Sequence, residues 1–590
     1  MFIKYHPSII ITWRFLLLGV LLLPPLHAGS RLRLSANDYQ AAVRENGAYH
    51  FWLYFIDKEA SDPALAKAAL GTTRAVTRRR IRGTLQGAEL QRINRPVTTD
   101  YLRQIEATGA TIRRVSRWLN AASVEAAADQ IEALTRLDFV RRITPVLRAS
   151  RPVRPQGAAP QAVRPKVSPW RKSGLDYGAS FEQLNQINVP AVHDMGYTGS
   201  GILVLMVDTG YYQGHEAVNS SRIVAQYDFL NNDSMTQNED STEASDKQHN
   251  HGTYTYSVLG GYAPGMLIGP AFEANYLLAK TEDVTEEVQS EEDDYVAALE
   301  WGDSLGADLV SSSLGYLDWY NYNDMDGQTA VTTMAVQIAT RLGMVVITAA
   351  GNQRGRVDGW DGYIIAPADA DSVLAVGAVS STGALASFSS HGPTADGRIK
   401  PDVVARGVSV VCAAPNDPGA YTTKNGTSLA APLVAGSVAL ILQAHPDWSP
   451  GVIWEAVRNS ASQADSPDND FGWGVMNVLA AIQYLPQGIP RQDLPGVPLS
   501  LDAVYPNPST GEGTVVRWTV GQLSPLTVDV YNLLGQHVST LYHSPGQYPG
   551  SASAIWNGLD AAGRPAPSGL YFVRAIAGIE QAVQRLVIHR

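Results

Sequence analysis

From about residue 173 to residue 485, apolar runs alternate with amphipathic stretches. Ile202 to Val207 is apolar without interruption, as a strand buried on both faces must be. Tyr276 to Ala279, Leu309 to Ser313 and Met344 to Ala349 read the same way. Between them, Tyr295 to Leu305 predicts an acidic, amphipathic helix and Thr329 to Leu342 a second helix. This alternation predicts an α/β unit, a parallel sheet with helices on both faces. Ligands of such sheets sit at the carboxyl ends of the strands.

The flanks carry different patterns. Tyr49 to Ile56 is aromatic and β-branched, as a strand is. Asp100 to Ala107 places Tyr101, Leu102 and Ile105 on one helical face. Ile112 to Val124 reads as strand, Glu125 to Leu137 as helix and Phe139 to Val146 as strand. That order predicts a small α+β, ferredoxin-like sandwich over 30–150. Residues 499–590 hold short strands and frequent turn residues, as in a β-sandwich. Two Pro-rich stretches, 151–172 and 486–498, read as linkers. Residues 1–28 have basic Lys4 and Arg14, then apolar Phe15 to Leu23, then Pro-Pro-Leu-His-Ala. This is the layout of a secretory signal cleaved after Ala28, so the mature protein is expected outside the cytoplasm, secreted or on the outer cell surface.

Composition narrows the chemistry. The one cysteine, Cys412, excludes an intramolecular disulfide framework and a Cys-ligated metal cluster. Its apolar strand, Val408 to Ala413, makes it a buried, inert thiol. The formal charge of −11 is unevenly spread. Residues 30–172 carry 26 Lys/Arg against 12 Asp/Glu, a net +14, and residues 201–486 carry 11 against 35, a net −24. Arg74, Arg78, Arg79, Arg80 and Arg82 form the densest basic cluster, and Glu291, Glu292, Asp293 and Asp294 the densest acidic one. No nucleic-acid motif accompanies the basic block, so no nucleic acid is expected as partner. Opposite potentials predict that the two halves dock on each other.

Three separated motifs can make one site. Asp208 ends the strand Leu203 to Val207 and is followed by Thr209-Gly210. His251 stands in His251-Gly252-Thr253 ahead of a helix-compatible run. Ser428 stands in Asn425-Gly426-Thr427-Ser428-Leu429-Ala430-Ala431-Pro432 ahead of the apolar stretch Leu433 to Leu442. A serine at a helix N-terminus has free N–H groups and a favourable dipole beside it. Pro432 is expected to be tolerated there because early helical N–H groups lack intrahelical partners. Serine oxygen needs a base, histidine is one, and a buried aspartate fixes the imidazole tautomer. Asn352, in Ala349-Ala350-Gly351-Asn352 at a strand end, can donate to an oxyanion beside the Ser428 N–H.

These motifs, with Ser313-Leu314-Gly315, resemble those of the subtilisin-like (subtilase) serine proteases in content and order over about residues 185–485. The resemblance implies a subtilisin-like fold and a serine endopeptidase. Asp208 would orient, His251 would be base then acid, Ser428 the nucleophile and Asn352 the oxyanion donor. Ser313, Leu314 and Gly315 would pair with the substrate backbone, and with Ala349, Ala350 and Gly351 would wall the pocket for the residue before the cut. The foot of that pocket would fall near Ile365, where a bulky residue favours a small substrate side chain. Leu429 stands where the family commonly has Met, and Tyr254 where many members have a second His. The chemistry would require no cofactor and no metal. Structural calcium is the family's frequent companion, and the acidic loop Asp228 to Asn250, with Asp228, Asp233, Glu239, Asp240, Glu243 and Asp246, would suit it. A solvated loop is the alternative.

Residues 30–150, through Ser116-Arg117-Trp118-Leu119-Asn120 and Asp138-Phe139-Val140, resemble the prosegment of secreted bacterial subtilases, an inhibitor and folding helper. The tail, through Tyr505-Pro506-Asn507-Pro508 and Arg585 to Arg590, resembles the C-terminal sorting domain of type IX secretion. The expected partners are protein or peptide substrates, the chain's own prosegment and the secretion machinery, with release or cell-surface attachment afterwards. Two other readings are a catalytically silent surface binding protein on the same scaffold and an esterase. The Gly-x-Ser-x-Gly elbow of esterases is absent around Ser428.

Overall fold

The computed structural model describes residues 42, 44–45, 47–58, 70–147, 174–285, 288–356, 360–415, 417–484, 486, 498–501, 504, 506–509, 514–521, 524–547 and 550–589. The expected signal over 1–28, the linker over 151–172 and nearly all of the linker over 486–498 lie outside these residues.

The N-terminal unit runs β1 (Ala48–Phe55), α1 (Thr73–Arg82), α2 (Gly87–Asn94), α3 (Thr99–Ala107), β2 (Thr111–Ser116), β3 (Ala121–Ala126), α4 (Ala128–Leu134) and β4 (Val140–Pro145). Its main strands lie in the order β4-β1-β3-β2, all antiparallel, with a short strand at Arg44–Glu45 beside β1. The single strand expected over 112–124 is two, because Asn120 takes a left-handed φ of 52° and turns the chain back. Asparagine tolerates that conformation better than most residues. Phe51, Leu53, Tyr101, Ile105, Val124 and Ile131 fill the core. The helices α1 and α2 were not expected.

The central unit is a seven-stranded parallel sheet. In chain order its elements are β5 (Leu203–Asp208), β6 (Ile223–Asp228), α5 (Asn250–Gly260), β7 (Asn275–Lys280), α6 (Ser290–Leu305), β8 (Leu309–Ser312), α7 (Val331–Arg341), β9 (Val345–Ala349), β10 (Leu374–Val379) and β11 (Val403–Arg406). The strand order is β11-β10-β9-β8-β5-β7-β6. Every residue of β5, β8, β9 and β10 is buried, as their largely apolar sequences require, with Asp208, Ser311, Ser312 and Thr348 the polar exceptions. A hairpin, β12 (Val410–Ala413) and β13 (Tyr421–Lys424), leads into α8 (Thr427–Ala444). Cys412 is buried on β12, and burial pushes its thiol above the ordinary range. Helix α8 is apolar and long enough to cross a membrane, but it is a core helix, with Leu433, Val434, Leu440 and Ile441 wholly buried. Each of those side chains contributes at most about 1.5–3 kcal/mol.

The N-terminal unit lies on α6. The helix expected over Tyr295 to Leu305 begins earlier, at Ser290, so its acidic first turn faces its own positive dipole end. Tyr295 and Leu299 face the sheet core. Asp293, Asp294, Glu300 and Asp303 instead meet Arg113, Arg114, Arg117, Arg78 and Arg79 of the N-terminal unit. Thus the charge split seen in the sequence is a docked interface.

The tail forms two facing sheets. One joins β14 (Ser500–Leu501), β15 (Thr514–Val520) and β18 (Gly550–Trp556). The other has the order β17-β16-β19-β20, from β16 (Ser524–Asn532), β17 (His537–Gln547), β19 (Gly569–Ala577) and β20 (Glu580–Ile588). Trp518, Trp556, Val528 and Val573 pack between them.

Candidate active site

Asp208 is the last residue of β5 and His251 is near the start of α5, and the two meet at the carboxyl end of the sheet. His251 Nδ1 lies 2.7 Å from Asp208 Oδ1. Asp208 also accepts from the Thr209 N–H at 2.8 Å and, at Oδ2, from the Thr255 hydroxyl at 2.9 Å. An ionised carboxylate only accepts. The ring proton therefore sits on Nδ1, which leaves Nε2 as the free base. Gly252 makes the approach possible, because a Cβ there would overlap the Gly210 carbonyl oxygen and stand 3.1 Å from Asp208 Cβ.

Burial pulls the His251 pKa down, but the Asp208 charge and hydrogen bond outweigh it, and the net shift is upward from the ordinary value near 6.5. Lys424, at the end of β13, opposes that rise. Only neutral His251 can accept a proton, so activity is fully present above its pKa and lost as pH falls through it. The expected kcat/KM profile has an acid limb with a midpoint above 6.5 and flattens at higher pH. A midpoint near 4 would place the controlling group on a carboxylate.

Ser428 is the second residue of α8, 7% exposed. Gly426 precedes the helix at φ 150°, and a Cβ there would stand 2.7 Å from Ser428 Oγ. Pro432 is the sixth helical residue, beyond the early positions expected for it. Its missing N–H would have bonded the Ser428 carbonyl four residues back. That carbonyl instead accepts from the Ser313 hydroxyl at 2.8 Å. This bond ties the Ser313-Leu314-Gly315 segment after β8 to the serine backbone.

Asn352 lies past the end of β9 and is exposed. The Thr427 N–H donates to its Oδ1 at 2.9 Å and the Thr427 hydroxyl lies at 3.1 Å. A backbone N–H can only donate, so the oxygen must face Thr427 and Nδ2 is left to donate elsewhere. The Gly351 N–H bonds the Thr427 hydroxyl at 3.2 Å. Ala349 closes β9, and Ala350 and Gly351 are buried beside it. Ile365 is 6% exposed and fills the space between the two segments. A Cβ on Gly315 would meet its Cδ1 at 2.5 Å, and one on Gly351 its Cγ1 at 3.1 Å. The structure thus gathers the residues singled out in the sequence at one end of the sheet. Thr255 and Thr427 were missed as positioning groups. The signal for Thr255 was its place one helical turn after His251.

The acidic loop also resolves. Oxygens of Asp228, Glu239 and Glu243 come within 4.8 Å of one another. The wholly buried Lys280 ammonium reaches Asp228 Oδ2 at 2.8 Å and Glu243 Oε1 at 2.5 Å. Asp228 Oδ1 already accepts from the Leu230 and Asn231 N–H groups. Lys280 thus offsets one of the three negative charges and occupies an oxygen on two of the three carboxylates.

A fold with a parallel sheet, an Asp–His pair and a serine at a helix N-terminus defines a class, the serine hydrolases of subtilisin type. Residues 199–474 match the family described as the subtilase family. Residues 50–160 match the peptidase S8 propeptide domain of Bacteroidota, and residues 503–589 the secretion system C-terminal sorting domain. The chain is 32% identical over 301 residues to subtilisin E of Bacillus subtilis (strain 168), covering 51% of this chain and 70% of that protein. It is also 32% identical to a subtilisin of Bacillus pumilus over 301 residues, 51% of this chain and 98% of that one. With the serine protease AprX of Bacillus subtilis it shares 32% over 311 residues, 48% and 66% of the two chains. The chain belongs to the subtilase family and is a serine endopeptidase with a propeptide domain and a sorting domain for export.

Proposed function

We propose that the chain is the zymogen of a secreted endopeptidase in which Ser428 attacks, His251 moves the proton, Asp208 orients and Asn352 holds the oxyanion. The Asp208–His251 bond at 2.7 Å is the observation that carries this reading. His251 Nε2 takes the proton of Ser428 Oγ as Oγ bonds the scissile carbonyl carbon. The oxyanion then accepts from Asn352 Nδ2 and the Ser428 N–H. His251 gives the proton to the leaving amine as the C–N bond breaks, and water repeats the cycle on the acyl-enzyme. No metal takes part in these steps. The segments Ser313-Leu314-Gly315 and Ala349-Ala350-Gly351 hold the substrate backbone on either side.

The proposed division is a signal over 1–28, a prosegment over 30–150, a linker over 151–172, a catalytic unit over 173–485, a linker over 486–498 and a sorting unit over 499–590. Cutting in the first linker frees the enzyme, and the sorting unit takes it to the outer surface or beyond. Intact masses of the precursor, residues 29–590, followed over time test this. The wild-type mass is expected to fall by about the prosegment and its linker, while Ser428→Ala stays whole. Equal processing of both would assign the cut to another protease or another serine.

Ile365 supports a preference for small side chains before the cut. Ile365→Gly is expected to move that preference toward large apolar residues, with the ratio of kcat/KM values changing about tenfold or more. A peptide library with one varied position measures this, and an unchanged preference would place the pocket foot elsewhere.

A further inference from the structure

The prosegment docks partly through α1, whose Arg74, Arg78, Arg79 and Arg82 share one side of the helix. Apart from the Leu70 carbonyl, to which Arg79 donates at 2.6 Å within the prosegment, the acceptors described here belong to the catalytic unit. Arg74 donates to the Gly306 carbonyl at 3.0 Å and the Gly201 carbonyl at 2.9 Å, and pairs with Asp308. Arg78 donates to the carbonyls of Ala307 and Leu342 and pairs with Asp303. Arg79 pairs with both oxygens of Asp303, and Arg82 with Asp308. Asp308 is held in place by the Leu203 N–H at 2.9 Å.

This is a shaped cradle, more than an acidic patch. Two carboxylates and four backbone carbonyls are arranged for forked donors, which suits guanidinium and not ammonium. The α6 C-terminus adds the negative end of its dipole. Two glycines clear the floor for a helix backbone. A Cβ on Gly306 would meet the Ala75 nitrogen at 2.8 Å, and one on Gly343 the Gly83 nitrogen at 2.9 Å. The cradle also lies away from the cleft. Asp308 precedes β8 and Gly201 precedes β5, whereas Asp208 ends β5. Six residues of strand separate the two ends by about 17 Å.

We propose that in the mature enzyme this cradle is an exosite that binds arginine-rich helical segments of protein substrates. The inference rests on the reading that the prosegment leaves on maturation and deepens it by naming a substrate class. When the prosegment departs, Asp303 loses its partners Arg78 and Arg79 on α1 and Arg117 after β2 together. Two carboxylates beside a helix C-terminus then face solvent, and a substrate bound there leaves the cleft open to its own cleavable stretch.

The test uses mature enzyme whose intact mass lacks the prosegment, with a fluorescent peptide of the sequence of residues 71–83. Saturable binding is expected, weakened about tenfold or more between about 50 and 500 mM salt. Lysine at the peptide's Arg78 and Arg79 positions weakens it about tenfold, and glutamine there abolishes it. A protein substrate carrying the same segment on a flexible linker is expected to show a KM about tenfold below its Arg→Gln counterpart, with kcat unchanged. The free peptide raises that KM again and does not slow hydrolysis of a short peptide. Absence of saturable binding, equal binding of the lysine peptide, inhibition of short-peptide hydrolysis, or a prosegment that stays bound after processing each overturns the proposal. Short-peptide hydrolysis by the same sample reports on Ser428 separately, so failure of the exosite and failure of the active-site reading are distinguishable.

Discussion

His251→Ala lowers kcat on a peptide substrate by about six orders of magnitude and leaves KM within about threefold. The magnitude is the one that subtilisins have set; the reason it applies here is geometric. Ser428 Oγ has no other base in this account, because the Asp208 oxygens are taken by His251, Thr209 and Thr255. The substitution does not touch the 313–315 and 349–351 segments proposed to hold the substrate. Asp208→Asn costs about four orders by a different route. An amide can present N–H to Nδ1, which moves the ring proton to Nε2, where no serine proton can then be accepted. Steady-state kinetics measure both, with circular dichroism as the check on folding. A His251→Ala enzyme within tenfold of wild type would contradict the assignment.

A prosegment in which Arg78 and Arg79 are both alanine inhibits the mature enzyme about two to three orders of magnitude less tightly. Burial pushes the Asp303 pKa up, but the guanidiniums of Arg78, Arg79 and Arg117 outweigh it and hold the carboxyl below its usual range. Burial pulls Arg78 down to about 10, which leaves it charged at neutral pH. Removing one side of such a buried pair costs about 3–5 kcal/mol, and each 1.4 kcal/mol is about tenfold in affinity. Arg103 is the contrast: its side chain is 77% exposed and its ion pair is with Asp100 of the same helix. Arg103→Ala therefore changes the inhibition constant by about twofold or less. The wild-type constant should also rise steeply with salt, since opposite net charges bring the two units together. An inhibition constant that ignores both Arg78 and Arg79 would leave the docking to apolar contact.

The site was more legible than the interface. Asp208, His251, Asn352 and Ser428 each stand in a short string whose local geometry, a strand end or a helix start, is written in neighbouring residues. The inner strands were legible because burial on both faces leaves mostly apolar residues. Helix α1 was not, because the face it buries is made of arginines and has no apolar period to find. What stabilises it is Asp303 and Asp308, more than two hundred residues away. The break between β2 and β3 was hidden because both segments read as strand, and the positive φ of Asn120 parts them. The role of Pro432 depended on the exact helix start, which sequence places least well. The acidic loop looked like a cation site, and the buried Lys280 ammonium against two of its carboxylates is a neighbour that no local spacing could reveal.

The most direct test is to label the processed enzyme with a fluorophosphonate, digest it and locate the modified residue by mass. The account predicts a single adduct on Ser428, with labelling lost in Ser428→Ala and strongly slowed in His251→Ala. An adduct on any other residue, or equal labelling of Ser428→Ala, would contradict it.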